Sequence, residues 1–133
     1  MSKQIKYSST RGGETSLSYE DVLLSGLARD GGLFMPEEWP HFSYSELENM
    51  KSLDYAELAT KIMCPFIEPC LSEKEVFKIC KDTYSGFNEG IAPLYNLKNN
   101  TYILELFHGP TFAFKDYAMQ FLSRAFNQAL KKR

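Results

Sequence analysis

The sequence predicts an α/β chain: a mainly helical α+β lobe over residues 1–88, then the start of a second, α/β domain over residues 89–133. Three observations predict this. Ser18, Ser43, Asp54 and Ser72 each stand where a helix cap is wanted, just ahead of an apolar helical pattern. A polar, glycine-flanked connection at residues 86–90 marks a change of texture. Beyond it, an aromatic and branched run, a Gly-Pro turn and a long 3.6-residue periodicity follow one another as strand, turn and helix.

Taken in order, residues 5–9 read as a short strand. Ser18 opens a helix whose first turn holds Glu20 and Asp21 and whose apolar residues are Val22, Leu23 and Leu27; Gly31 and Gly32 end that unit. Residues 32–36 form an extended apolar segment closed by Pro36. Ser43 and Glu46 have capping-box spacing for a short helix to Met50. Asp54 caps a longer helix through about Cys64, with Pro65 and Pro69 breaking the chain after it. Ser72 and Glu75 open another helix, with Val76, Phe77, Ile79 and Cys80 as its apolar residues, running to about Tyr84. Residues 91–97 and 102–107 read as strands about an Asn99-Asn100 turn, the first of a parallel sheet.

The last helix carries the feature that points to chemistry. His108, Gly109, Pro110 and Thr111 read as a tight turn, with Thr111 as the helix cap. Phe114, Tyr117, Ala118, Phe121, Leu122, Ala125, Phe126 and Ala129 keep helical spacing. On a wheel of about 100° per residue, Lys115 falls between Leu122 and Phe126, inside the apolar arc. A lysine there is expected on the buried side of a first helical turn. Desolvation and the positive end of the helix dipole both favour the neutral amine, the form that attacks a carbonyl to give a Schiff base. A lysine snorkelling along the helix edge to water is the structural alternative.

Composition narrows the function classes. With 44% hydrophobic and 14% aromatic residues the chain can bury a core. Fifteen Lys and Arg against seventeen Asp and Glu give a net charge of −2, so no basic field invites nucleic acid or an anionic membrane. No apolar run reaches membrane-spanning length, and Met1-Ser2-Lys3-Gln4 leads into no signal-peptide core, so the expected compartment is the cytoplasm. Cys64, Cys70 and Cys80 form no CxxC pair, and His41 and His108 are far apart. Neither a disulfide framework nor a metal site is expected. The aromatic-rich last helix finds little partner surface within these residues, so the chain is expected to be the beginning of a longer one.

The run FHGPTFAFKD at residues 107–116, followed by YAMQ, resembles the threonine synthase segment that carries the pyridoxal-phosphate lysine. KYSSTRG at residues 6–12 and LARDGGLFMP at residues 27–36 resemble two further segments of that family, in the same order. Phe112 stands where leucine is usual, an apolar exchange. The resemblance implies a tryptophan synthase β-like fold for the second domain and pyridoxal 5'-phosphate as cofactor. It implies O-phospho-L-homoserine as substrate, converted with water to L-threonine and phosphate. Lys115 matches the lysine that binds the cofactor and then moves protons as acid and base. The phosphate cradle and the partner of the pyridine nitrogen lie further along the family's chain, so the remainder of the catalytic domain is the expected partner and the 133 residues alone are expected to be inactive. Two alternatives stay open: a non-catalytic stand-alone or fragment domain of the same origin, and a phospho-lyase variant that releases a keto acid.

Other motifs are weaker. Ser9, Thr10 and Arg11 with Gly12 and Gly13 could hold a phosphate or carboxylate, or form an ordinary strand exit. Asp30-Gly31-Gly32 is a turn signature without dinucleotide-binding spacing. His108 and Thr111 could reach a cofactor, or serve as turn and cap. Phe114 could flank a bound ring or be core, and Asp116 is read as a structural carboxylate at a helix start. From the boundary near residue 88, limited proteolysis is expected to cut first within residues 86–90. Early cleavage within residues 57–61, inside a helix, would count against that division.

Overall fold

The computed structural model describes residues 4–88 and 90–133. The expectation drawn from Met1, Ser2 and Lys3, and the Glu89 position in the connection, lie outside the described residues. Among the described residues, five helices and four short strands follow one another as β1 (Tyr7–Ser9), α1 (Tyr19–Ser25), β2 (Phe34–Pro36), α2 (Tyr44–Met50), α3 (Tyr55–Ile67), α4 (Glu73–Tyr84), β3 (Leu94–Lys98), β4 (Thr101–Leu104) and α5 (Asp116–Lys131). None of these helices is long and apolar enough to cross a membrane.

The predicted caps start the helices. Ser18, Ser43 and Asp54 each accept from the backbone N–H three residues on, and the carboxylates of Asp21, Glu46 and Glu57 reach back to the cap. At α4 the Glu75 carboxylate takes both the backbone N–H and the hydroxyl of Ser72, each at 2.8 Å. One helix end departs from expectation. α3 does not stop at Cys64 but continues through Pro65 to Ile67. Proline removes one donor, yet the Glu68 N–H still closes the last turn on the Cys64 carbonyl at 3.0 Å, and Ile67 is buried at 2% exposure. Core packing outweighs the lost bond.

The two strand pairs are separate antiparallel ribbons. β1 pairs with β2, placing Ser9 opposite Phe34, and β3 pairs with β4. The second pair corrects the expectation of a parallel sheet. Asn99 and Asn100 both have positive φ, 48° and 59°, and so form a two-residue turn that reverses the chain at once. β4 also ends at Leu104, short of Phe107. Both faces of this hairpin are exposed along their whole length.

The core lies among α3, α4 and α5. Leu71, Val76 and Cys80 are fully enclosed, joined by Ile67, Ile79, Tyr84, Phe121 and Ala125. Enclosing a side chain as large as Phe121 contributes about 2–3 kcal/mol. An aromatic ladder crosses this core, from Tyr55 to Tyr84 (4.8 Å between ring centres), Phe87 (5.5 Å) and Tyr117 (4.9 Å). Its polar ends are satisfied: the Tyr84 hydroxyl donates to the Tyr117 carbonyl at 3.2 Å, and the Tyr117 hydroxyl donates to the Ile91 carbonyl. Cys80 is buried, as expected, and all three cysteines are free thiols.

Glu75 joins the start of α4 to the end of α5. Besides Ser72 it accepts from Gln128 Nε2 at 3.0 Å and Lys132 Nζ at 2.7 Å. These donors, the Lys132 ammonium first, pull its carboxyl down to about 2 from 4.5. A carboxylate depressed in the folded state contributes stability above its unfolded value and loses it as pH falls through the folded one. The contribution is complete above about pH 5 and lost by about pH 2. Glu75→Gln is expected to lower stability at neutral pH by about 1 kcal/mol, because solvent screens this partly exposed cluster. It should also flatten the acid limb, so urea midpoints measured between about pH 5 and pH 2 should fall less in the variant than in the parent.

Candidate functional site

Two of the three sequence motifs are brought together in space. The ladder between β1 and β2 carries residues 6–12 beside residues 27–36, and Asp30 is the hub between them. Ser9 Oγ donates across the two oxygens of Asp30, at 2.7 and 2.8 Å. The backbone N–H of Gly13 donates to Oδ2 at 2.8 Å and that of Gly32 to Oδ1 at 2.9 Å. These donors, Ser9 first, hold the Asp30 carboxyl below the usual carboxylate range. Arg11 donates to the Asp30 carbonyl at 3.1 Å, and Leu33 N–H donates to Thr10 Oγ1 at 3.1 Å. The hydroxyls and guanidinium that could have held an anion thus serve to lock one turn onto another. Sequence reading recognised the Asp-Gly-Gly turn and missed Asp30 as its anchor; an acid flanked by glycines opposite a hydroxyl-rich strand exit was the available signal.

The clasp needs its glycines. A Cβ on Gly32 would stand 2.1 Å from Ser9 Oγ, and one on Gly13 would stand 2.6 Å from Asp30 Oδ2.

The third motif forms the segment between β4 and α5. His108 lies close to Glu105, Nε2 to Oε2 at 2.8 Å, and stacks on Phe107 at 4.6 Å between ring centres. Its carbonyl accepts from Asn88 N–H at 2.9 Å, which ties the 86–90 connection back to this turn. Residues 109–115 are turns. The helix begins at Asp116, with Lys115 as its cap residue, so Thr111 is not the N-cap. Thr111 instead donates to Asp116 Oδ2 twice, from its backbone N–H at 2.7 Å and its hydroxyl at 2.9 Å. These bonds, the backbone N–H first, keep the Asp116 carboxyl below the usual carboxylate range.

Lys115 is exposed, which corrects the expectation of a buried amine. The arc it belongs to is as broad as expected, but only half is covered. Phe121, Ala125 and Ala129 pack inward, while Met119, Leu122, Phe126 and Leu130 remain open to solvent on the side that includes Lys115. Phe112 and Phe114 are 73% and 66% exposed, so Phe114 is not core. Among the described residues the Lys115 ammonium has no hydrogen bond or ion pair. Chemically this is an uncommitted primary amine at a helix start, on an apolar strip. An open groove of about 860 Å³, lined by Trp39, Pro40, Lys61 and Pro65 among others, does not include it.

The chain folds as a helical α/β lobe with a lysine-bearing turn on its open side, and comparison with known proteins gives the family. The model of the threonine synthase N terminus matches residues 6–84, more than half of the chain. Threonine synthase of Pseudomonas aeruginosa is 46% identical over 130 residues, covering 97% of this chain and 28% of that protein. That of Schizosaccharomyces pombe is 44% identical over 135 residues, covering 100% and 26%. The crystal structure of pyridoxal-phosphate-bound threonine synthase from Brucella melitensis superposes with a TM-score of 0.92 at 39% identity, over 97% of this chain and 28% of that one. The chain belongs to the threonine synthase family and corresponds to its N-terminal portion, spanning between a quarter and a third of the length of these relatives.

Gly32→Ala is expected to destabilise the chain by about 1–3 kcal/mol through overpacking of the Asp30 clasp. Gly86→Ala, where a Cβ meets nothing within 4 Å, should stay within about 0.5 kcal/mol. Urea unfolding of the two variants checks the contrast.

Proposed function

We propose that this chain is the N-terminal part of a pyridoxal-phosphate-dependent threonine synthase, a carbon–oxygen lyase acting on a phosphate ester. It converts O-phospho-L-homoserine and water to L-threonine and phosphate, and Lys115 is the residue that carries the cofactor. The observation that carries this reading is the continuity of the likeness, over 97% of the chain and through the lysine-bearing turn, with threonine synthases, one of them solved with pyridoxal phosphate bound.

The residues present fit one end of the cofactor. Lys115 offers a free amine for the aldehyde, and its apolar strip suits the flank of an aromatic ring. The adjacent turn does not offer a phosphate cradle, because the N–H and hydroxyl of Thr111 are already given to Asp116. The phosphate would therefore be held by other segments, and the remainder of the catalytic domain would be this chain's partner. Pyridoxal phosphate, when bound, supplies an electron sink for charge developing on the substrate carbons. Lys115 supplies the nucleophilic nitrogen that holds the aldehyde. The same amine, when free, would be placed to move protons as base and acid at the substrate carbons.

We place the division between the lobe and the catalytic domain near residue 88. The match to the threonine synthase N terminus, which ends at residue 84, and the exposed β3–β4 hairpin that follows support it, while α5 packs back onto α3 and α4 across the division. Three free thiols, two of them buried, suit a reducing compartment such as the cytoplasm. A net charge of −2 suits a small-molecule enzyme rather than a nucleic-acid or membrane binder.

In the complete polypeptide, borohydride reduction with pyridoxal phosphate followed by peptide mapping is expected to leave a pyridoxyl group on Lys115. Lys115→Arg keeps the charge and should abolish both the adduct and phosphate release. The 133 residues alone should release no phosphate above a Lys115→Ala control. A stable adduct on another lysine, with Lys115 unmodified, would refute the assignment.

A further inference from the structure

We propose that Asp116 is the positioning residue that sets where the Lys115 amine stands; this rests on the reading of Lys115 as the cofactor lysine. Asp116 belongs to the polar side of the helical wheel, yet it is 4% exposed while both residues before it are open to solvent. A carboxylate is buried only where donors meet it. Here they are the N–H and hydroxyl of Thr111, with Gln120 Nε2 more distant at 3.4 Å.

The geometry closes the lysine-bearing loop at two points. The Thr111 bonds join residue 111 to residue 116. Gly109 lies against the same side chain so closely that a Cβ there would stand 2.5 Å from Asp116 Cβ and 2.6 Å from its Oδ2. Between these points Phe112 holds a φ of 59°, a left-handed backbone that a bulky residue keeps only where its surroundings impose it. Apolar packing does not impose it, since Phe112 and Phe114 are largely exposed. The carboxylate clasp does, together with the Phe112 N–H bond to the Gly109 carbonyl at 3.1 Å.

One side of the clasp is rigid. α5 is anchored through Phe121, Ala125 and Ala129, and Lys115 already has helical backbone angles, φ −63° and ψ −22°. Neighbouring helical residues point about 100° apart. Turning Asp116 inward onto the turn therefore turns Lys115 outward, onto the strip of Leu122 and Phe126. Thr111 presents two donors, so the partner must be an acceptor; asparagine can replace the carboxylate through Oδ1, and alanine cannot.

The test compares the parent, Asp116→Asn and Asp116→Ala in the complete polypeptide. It measures amide exchange at Thr111, the thermal midpoint, and the rate at which pyridoxal phosphate with borohydride modifies Lys115. Alanine is expected to speed Thr111 exchange and slow Lys115 modification about tenfold to a hundredfold, with α5 amides still protected. Asparagine should restore both to within about threefold of the parent. Thr111→Val, which keeps the N–H and loses the hydroxyl, should fall between them and serves where the alanine variant does not fold. Unchanged Lys115 modification in the alanine or valine variant, with Thr111 exchange raised, overturns the proposal while leaving the cofactor reading intact. A parent adduct on a different lysine overturns both.

Discussion

The packing of one face of α5 onto α4 is the constraint on which the rest of this structure depends. Phe121 and Ala125 enter the same core as Val76 and Cys80, and Glu75 fastens the far end of the pair through Gln128 and Lys132. A helix fixed along its length also fixes its first residue, and here that residue lies next to Lys115. The apolar contacts are non-directional and supply most of the stabilisation. The Glu75 bonds are directional and select one rotation of α5 about its axis.

The same device recurs at two turns. Asp30 binds the turn after β1 to the turn before β2, and Asp116 binds the Gly-Pro turn to α5. In both, a carboxylate takes a hydroxyl and a backbone N–H, and in both a glycine is pressed against the acid where a Cβ has no room. Charge-assisted bonds to backbone N–H groups hold a loop conformation that apolar packing cannot specify, because loops have little apolar surface to bury. The family's first two sequence motifs are one structural object, the Asp30 clasp. The third is the other.

The surface left open results from the same packing. Only the half of the α5 arc that meets α4 is covered; the other half, with both faces of the β3–β4 hairpin, faces solvent. This apolar surface includes the side of α5 that bears Lys115. That arrangement is consistent with the cofactor role proposed for Lys115, since a lysine in that role would stand at the edge of apolar surface still to be covered.

The sequence by itself determined the starts of α1 to α4, and it singled out Lys115 as the candidate lysine. Caps at Ser18, Ser43, Asp54 and Ser72 act within three residues, so local chemistry sufficed to find them, and the family motifs pointed to Lys115. Local signals failed where a distant partner decided. Pro65 sits inside α3 because Ile67 is drawn into the core. The turn at Asn99-Asn100 was legible locally, but the two strands it joins form a separate antiparallel ribbon and not the first strands of a parallel sheet. Thr111 has the chemistry of a helix cap, yet its donors turn to Asp116, which moves the helix start to residue 116. A helical wheel gives the width of an apolar arc but not which half meets a neighbour, so the exposure of Lys115 was not legible in it. Only the tertiary structure decided that, because burial depends on which surface another element covers, and in this chain α4 covers the side of α5 away from the lysine.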